Sequence, residues 1–327
     1  MYLRALDFLG CPKCRCALKL TQRLPAAGDV VDQGELACPQ CQQVYPVVRG
    51  IPRFVPADNY AESFGQQWNR YRTEQIDMLN GVSLTETRFI TETGKSDLKG
   101  QRVMEAGCGA GRFLEVASRL GADVVGVDLS NAVDAAAQTL ADRTNVHLVQ
   151  ASIFELPFQR GVFDGVYSIG VLQHTPDPLG AIRPIFDVLK KHGWCTATVY
   201  ERRRFTMLYS KYLARRLTTR LPSKVVTKLV EKTMPLAFPV TDVLFRLPKV
   251  GKLFRFAIPV ANYVDEKALS REQRYQWAVL DTVDMLTPRY DNPQTEQDLR
   301  QAFVSAGFTD VTRPSVVGLC LRATRPS

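Results

Sequence analysis

The rhythm of polar and apolar positions changes several times along the chain. Between residues 101 and 200, short β-branched runs alternate with stretches whose apolar residues recur every three or four positions. That alternation predicts βαβ units and a parallel sheet. The strand candidates are Arg102–Ala106, Asp123–Val127, Val146–Gln150, Val162–Ile169 and Cys195–Tyr200. Between them, Arg112–Leu120, Ala132–Arg143 and Leu179–Lys191 carry helix-period apolar positions. Residues 57–100 also read as helical, with Phe64, Trp68 and Tyr71 three or four apart.

Residues 201–285 break the rhythm. In Phe205–Leu221, the residues Phe205, Leu208, Tyr209, Tyr212, Leu213, Leu217 and Leu221 recur at helical spacing, while Lys211 and Arg215 fall mostly elsewhere on the wheel. The expectation is an amphipathic helix with its charges toward water. Pro222 ends it and Ser223 opens a second helix, Lys224–Lys232. Leu236–Pro259 is read as short pieces interrupted by prolines. Further on, Thr295–Ala306 predicts a helix with Thr295 as N-cap, Asp298 three residues later and Gly307 as C-cap. Asp310–Val317 and Leu319–Thr324 predict a closing hairpin.

Charge sharpens this division. The 327 residues hold 42 Lys+Arg against 33 Asp+Glu, a formal +9. Residues 201–260 alone hold 14 against 3, or +11, so the remainder has 28 against 30, or −2. The basicity belongs to one insert, which reads as a helical cap. Three uses fit it: contact with an anionic membrane, a grip on an RNA backbone, or a solvated face with no ligand. No run of 18 apolar residues predicts a spanning helix. The start of the chain does not read as a secretory signal, so a cytoplasmic location is expected. Nothing here addresses oligomeric state.

Eight cysteines then point to metal or free thiols. Cys11-Pro12-Lys13-Cys14 and Cys38-Pro39-Gln40-Cys41 form two CxxC knuckles, whose four thiolates can converge on a structural Zn2+. A segment of about 55 residues has too small a core to rely on, and metal ligation supplies the missing folding energy. Reduced surface thiols or two disulfides are the competing readings. Cys16 is a spare neighbour. The following Val44-Tyr45-Pro46-Val47-Val48-Arg49-Gly50-Ile51-Pro52 resembles the "YPV…GIP" ending of the zinc-ribbon activator subunit of eukaryotic tRNA and release-factor methyltransferases.

Gly107, Gly109 and Gly111 follow the first core strand and open a helix. They let backbone pass close under a ligand. Asp128, at the tip of the next strand, suits a ribose diol. A dinucleotide would fit both features. The wider context, Phe163-Asp164-Gly165-Val166, Val171-Leu172-Gln173-His174, Asp177-Pro178 and Leu189-Lys190-Lys191-His192-Gly193, resembles class I S-adenosylmethionine-dependent methyltransferases. The resemblance implies that Glu105, Gly107, Gly109 and Gly111 line the methionine part of S-adenosylmethionine. It places Asp128 on the ribose, Leu129 beside the adenine and Ser152 near the adenine amine. It also implies an N-terminal lid carrying Gln67 and Trp68, although Phe64, Trp68 and Tyr71 can equally be a packing stripe.

His174 lies past the fourth strand, at the carboxyl edge where ligands bind. It is a candidate base, or a loop histidine bonded to backbone beside Asp177. Asp281–Pro293 resembles a "DTxDxxSPxYD" segment of bacterial relatives. It makes Asp284 and Tyr290 candidates for deprotonation and Arg289 and Asp291 candidates for substrate recognition; the alternative is that this segment locks the insert to the core.

The expected fold is α/β: a Rossmann-like, seven-stranded methyltransferase core with an N-terminal zinc ribbon and a helical cap insert. The division is 1–56 ribbon, 57–100 lid, 101–200 core, 201–285 basic insert and 286–327 the end of the core. The expected function is S-adenosylmethionine-dependent methylation of a small-molecule, lipid-linked or sugar-linked acceptor, at oxygen before nitrogen. The alternatives are an RNA methyltransferase and a non-catalytic binding module of the same fold.

Overall fold

The computed structural model describes residues 1–25, 28–56 and 59–327. Four antiparallel strands open the chain: β1 (Lys19–Leu24), β2 (Gln33–Ala37), β3 (Val44–Val48) and β4 (Ile51–Pro52). Three helices follow, α1 (Glu62–Arg70), α2 (Asp77–Asn80) and α3 (Leu84–Thr93). The expected boundary between ribbon and lid, after residue 56, falls at residues outside those described.

The second sheet begins with β5 (Arg102–Ala106), α4 (Arg112–Arg119), β6 (Asp123–Asp128), α5 (Ala132–Thr139) and β7 (Val146–Gln150). It continues with β8 (Phe163–Ile169), α6 (Ile182–Val188) and β9 (Leu189–Val199). The insert supplies α7 (Ser210–Thr218), α8 (Ser223–Leu244), α9 (Gly251–Ala257) and α10 (Arg271–Leu286). The chain ends with α11 (Glu296–Ala306), β10 (Thr309–Thr312) and β11 (Leu319–Thr324).

The seven strands lie in the order β10-β11-β9-β8-β5-β6-β7. Strands β5 to β9 are parallel, and the β10–β11 hairpin adds antiparallel to β9. From β5 the chain winds outward through β6 and β7, then returns to β8 on the other side of β5. That reversal leaves a crevice beyond the carboxyl ends of β5 and β8, where open α/β sheets bind ligands. Buried valines and alanines such as Val103, Val124, Val125 and Val127 fill both faces of the central strands, as a sheet covered on both sides requires.

The antiparallel sheet does not stand apart. Arg53 pairs with Gln150 beside β7, and Leu9 pairs with Phe158. Phe8, Leu9 and Leu36 share one buried cluster with Phe158, Phe163 and Ala197. His147 donates or accepts at Asp123, 3.1 Å away, and packs edge-on against Phe8, far from the crevice.

Besides β10, which ends at Thr312 and not at the predicted Val317, three stretches differ from expectation. The helix predicted over Leu179–Lys191 ends at Val188, and β9 starts six residues earlier than predicted. Leu189 pairs with Phe163, and Lys190 reaches Asp164 at 2.8 Å, so the strand ladder captures backbone that the apolar spacing assigned to a helix. Helix α8 runs 22 residues straight through Pro235 and Pro239. Its buried stripe, Val226, Val230, Met234, Phe238 and Thr241, packs with Ala278, Val279 and Val283 of α10, which offsets the backbone bonds the prolines remove.

The third difference is the orientation of α7. Tyr212 and Arg215 are buried and Lys211 is largely covered, whereas Leu213 and Leu217 are exposed. The helix is rotated about its axis from its expected face, so that Tyr212 stays buried but Lys211 and Arg215 turn inward in place of the leucines. Arg215 donates to the carbonyls of Met285 (3.2 Å) and Pro288 (2.8 Å), and Thr218 donates to that of Leu286. Those carbonyls, exposed where α10 ends, need donors. The cations of α7 supply them.

Candidate active site and metal centre

The four knuckle cysteines converge. All four sulfurs lie within 4.8 Å of one another, with Cys11–Cys41 at 3.5 Å and Cys14–Cys38 at 3.3 Å. A tetrahedral zinc with bonds of about 2.3 Å spaces its sulfurs by about 3.8 Å, so the cluster fits a closed structural Zn2+ site. No fifth position remains for chemistry. Cys16 stands outside the cluster, its thiol donating to Gln40.

A cavity of about 1360 Å3 occupies the crevice. That exceeds what one small ligand needs, so it has room for a cofactor and an acceptor. Its floor is the glycine loop. Gly107 and Gly109 have φ of 87° and 52°. A Cβ on Gly107 would lie 2.2 Å from Val171, and one on Gly109 would lie 3.1 Å from the Trp68 indole. Glycine is therefore required both by conformation and by space. Gly111 (φ 91°) caps α4, packs toward Leu140 and Ala136, and stands back from the cavity wall.

Asp128 ties this floor together. Its Oδ2 accepts the Gly109 N–H at 2.9 Å, and its Oδ1 accepts the N–H and the hydroxyl of Ser130 at 2.8 and 2.7 Å. Oδ1 is thereby saturated, whereas Oδ2 keeps a lone pair for a further donor, such as a hydroxyl of a ribose diol. Burial raises the Asp128 carboxyl above its ordinary range, with those hydrogen bonds opposing the shift. Glu105 lines the same floor, accepting from Tyr167 Oη at 3.3 Å, and burial pushes its carboxyl well up. Leu129 lines the wall, and Gln150 Nε2 holds its carbonyl at 3.2 Å. Ser152 is turned away, its hydroxyl accepting from the Phe154 N–H, and Ile153 lines the cavity in its place.

Helix α1 borders the cavity. Trp68 lies over Gly109. Gln67 donates to Asp284 Oδ1 at 3.3 Å, while its own Oε1 is buried with no partner among the described residues. Gln67 is buried and is not part of the cavity wall, to which its neighbour Trp68 belongs. The chain's own residues therefore fit S-adenosylmethionine: a carboxylate at the tip of β6, suited to a ribose diol, and a glycine floor covered by Trp68.

His174 is carried by the 3-10 turn Leu172–His174, just past β8. It sits between the rings of Phe64 (5.2 Å) and Tyr200 (5.5 Å). Its Nδ1 lies 3.0 Å from the Tyr290 carbonyl, an acceptor only, so Nδ1 carries the proton. Its Nε2 is buried, unpaired among the described residues, and belongs to a residue of the cavity wall. Asp177 takes no part; it accepts from the Gly180 N–H.

The other acceptor-side candidates separate. Asp284 lines the cavity. Tyr290 does not: its ring packs edge-on against Tyr60, and its role is the carbonyl that orients His174. Arg289 is exposed, outside the cavity wall. Asp291 is spent on Lys211 (3.0 Å) and Tyr212 (3.2 Å) with 1% of its side chain exposed. This pattern favours the locking alternative for residues 289–291.

Sequence reading missed Asp281, Gln75, Arg88 and Arg112, all of which line the cavity. The signal was the three-residue spacing of Asp281 and Asp284, which puts both on one face of α10. Gln75 donates to Asp281 at 3.2 Å and accepts from Arg112. Burial and Asp284 push the Asp281 carboxyl up to about 7, against Arg112, Arg88 and Gln75, which lower it. The native state thus favours the protonated form. Stability from this group is complete at acid pH, below the ordinary carboxylate range, and is lost as pH rises through about 7. Asp281→Asn should therefore melt several degrees above wild type near pH 8 and with little difference near pH 4, at about 2–4 °C per kcal/mol. Equal shifts at both pH values would contradict the assignment.

Residues 104–197 match the family described as Methyltransferase domain, and residues 3–50 match Trm112p-like protein. The ubiquinone biosynthesis O-methyltransferase of Albidiferax ferrireducens is 35% identical over 99 residues, covering 29% of this chain and 39% of that one. The same-named protein of Psychrobacter arcticus is 29% identical over 166 residues, covering 45% and 63%. The chain thus spans less than two thirds of the curated relatives it matches. Among solved structures, a complex of the Haloferax volcanii Trm112 methyltransferase activator with a second chain superposes at a TM-score of 0.46 and 14% identity, covering 81% of this chain and 99% of that one. The two family matches thus fall on the Rossmann-like sheet and on the four-cysteine ribbon: a methyltransferase domain over residues 104–197 and a Trm112p-like one over residues 3–50.

Proposed function

We propose that the chain transfers a methyl group from S-adenosylmethionine to a hydroxyl of a small-molecule acceptor, lipid- or sugar-linked. The observation that carries this reading is the buried Nε2 of His174, unpaired among the described residues, on a residue of the cavity that Asp128 and the glycine loop also line. When bound, S-adenosylmethionine supplies a methyl group already activated on a sulfonium. Asp128 holds the ribose, Leu129 flanks the adenine, and Glu105, Gly107 and Gly109 shape the methionine end with Gln67 and Trp68 above. Gly111 sets the turn into α4, and Ser152 is left without a cofactor contact. His174 Nε2 takes the acceptor's hydroxyl proton as the oxygen attacks, and the Tyr290 carbonyl keeps the imidazole in the tautomer that can do so. Asp284 faces the acceptor.

In the same reading, residues 1–56 are the ribbon, 57–100 the lid, 101–200 and 286–327 the core and 201–285 the cap, in a cytoplasmic enzyme that touches an anionic membrane through 201–260. The named relatives are O-methyltransferases, which supports oxygen as the target. No observation favours the RNA-directed or non-catalytic alternatives.

Calorimetry with S-adenosylmethionine and labelled-methyl transfer to a panel of soluble phenols test the proposal. Asp128→Ala should weaken cofactor binding by about tenfold to a hundredfold, the loss of a charge-assisted hydrogen-bonding partner. Unchanged affinity, or transfer only to amines, would reject it.

A further inference from the structure

The insert's outer face is unusual for a protein surface. Among the described residues, most of the exposed large apolar side chains of the whole chain fall between Phe205 and Leu253. Helix α7 shows Leu213 and Leu217 outward, and on α8 Leu236 is 77% exposed. At about 100° per residue, Val225, Leu229, Leu236, Val240 and Val243 of α8 fall within about 60° of one another. The buried stripe of Val226, Val230, Met234 and Phe238 lies on the opposite side, against α10. Exposed Lys224, Lys228 and Lys232 flank the outer apolar stripe. Both α7 and α8 pack on α10, so both turn their leucines and valines away from it. Inward, the same region is fully used: Arg215, Lys211 and Tyr212 hold residues 285–291.

An apolar stripe bordered by lysines matches the boundary between headgroups and acyl chains of an anionic bilayer: the leucines enter, and the ammonium groups meet lipid phosphates. No helix among the described residues is long and apolar enough to cross a membrane, so the surface lies on it. The cavity reaches this face. Arg203, Thr206 and Tyr209 line it, and Phe205, Met207 and Leu208 beside them are exposed. Opposite them, Val317 lines the cavity and is 96% exposed.

We propose that the outer face of α7 and α8 seats the protein on an anionic bilayer with the cavity mouth, between residues 203–209 and 316–318, opening toward the lipid, so that an acceptor with an apolar tail enters without crossing water. This rests on the membrane contact proposed above and deepens it by naming the surface and the direction of entry. The rotated α7 is then functional: its cations brace the core so that its leucines are free for lipid.

The test is flotation of the full chain with phosphatidylcholine vesicles, with and without phosphatidylglycerol. Wild type should float with the anionic vesicles, and more weakly as salt rises. Leu229→Asp/Leu236→Asp should weaken binding at least about tenfold, given the transfer energy of two leucines. Lys224→Gln, Lys228→Gln and Lys232→Gln should each cost about fivefold on anionic vesicles only. Val304→Asp, an exposed apolar position on α11, should change nothing. Cofactor affinity, read without vesicles, should be unchanged in every variant, so failure here is separable from failure of the methyl-transfer reading. Three results would overturn the proposal: no flotation of wild type, flotation unaffected by the double aspartate variant, or light scattering showing a dimer that the same variant dissociates. RNA binding that removes the protein from vesicles and depends on the same three lysines, with no loss on Leu229→Asp/Leu236→Asp, would overturn it as well.

Discussion

Stripping the zinc with a chelator, or replacing Cys38 by Ser, should unfold the four-stranded ribbon and destabilise the whole chain. The ribbon's cysteines sit between short strands with few buried side chains of their own. Structural zinc supplies about 10–16 kcal/mol to small domains of this kind, more than such a core can replace. The consequence should not stop at residue 56. Phe8, Leu9 and Leu36 are completely buried against Phe158 and Phe163. The Phe54 N–H donates to the Gln150 carbonyl, and Arg53 reaches Gln150 at 2.6 Å and Asp134 at 2.8 Å. Losing the ribbon exposes that apolar wall and frees Gln150, which holds the Leu129 carbonyl. Thermal melting with metal analysis should show about one zinc per chain in wild type. The Cys38→Ser protein should melt at a far lower temperature and aggregate. A variant that melts like wild type would show that the thiols are not a folding metal site.

Replacing His174 by Asn should abolish most methyl transfer while leaving the fold intact. The Asn amide can still donate toward the Tyr290 carbonyl, as Nδ1 does. It has no basic nitrogen to replace Nε2, which is buried, unpaired among the described residues and carried by a residue of the cavity wall. General-base contributions of this kind are typically about 100-fold to 10,000-fold in turnover. Cofactor affinity by calorimetry and the melting temperature should both match wild type, because neither the glycine loop nor the Phe64–Tyr200 ring contacts require the imidazole's second nitrogen. Full turnover in His174→Asn would make the residue a structural one. Loss of cofactor affinity alongside turnover would move it from acceptor chemistry to the cofactor site.

Much of this site was legible along the chain because its determinants are local. Gly107, Gly109 and Asp128 sit at strand ends, where conformation and topology leave few alternatives, and the four cysteines come as two spaced pairs. The acceptor side was less legible. Asp281 and Asp284 were read as part of a proline-rich polar segment, yet they stand on the inner face of a helix that begins at the Ser270–Gln273 capping box. Asp291, Arg289 and Tyr290 looked like substrate groups because polar residues cluster there; their partners, Lys211, Tyr212 and Tyr60, come from elements 79 or more residues away.

The sequence by itself determined the parallel sheet, the convergence of four cysteines and the glycine turn beside Asp128, since strand periodicity, cysteine spacing and glycine conformation act over a few residues. It also located the excess charge in one insert. Only the tertiary structure decided which way that insert faces. A helix carrying both leucines and cations has two faces that can be buried, and its own pattern favours the leucines. The choice was made by carbonyls at residues 285, 286 and 288 and by the carboxylate of Asp291, which need donors that α7 alone brings to them. Unsatisfied acceptors in the core cost more than leucines left outside, and so the cations went in.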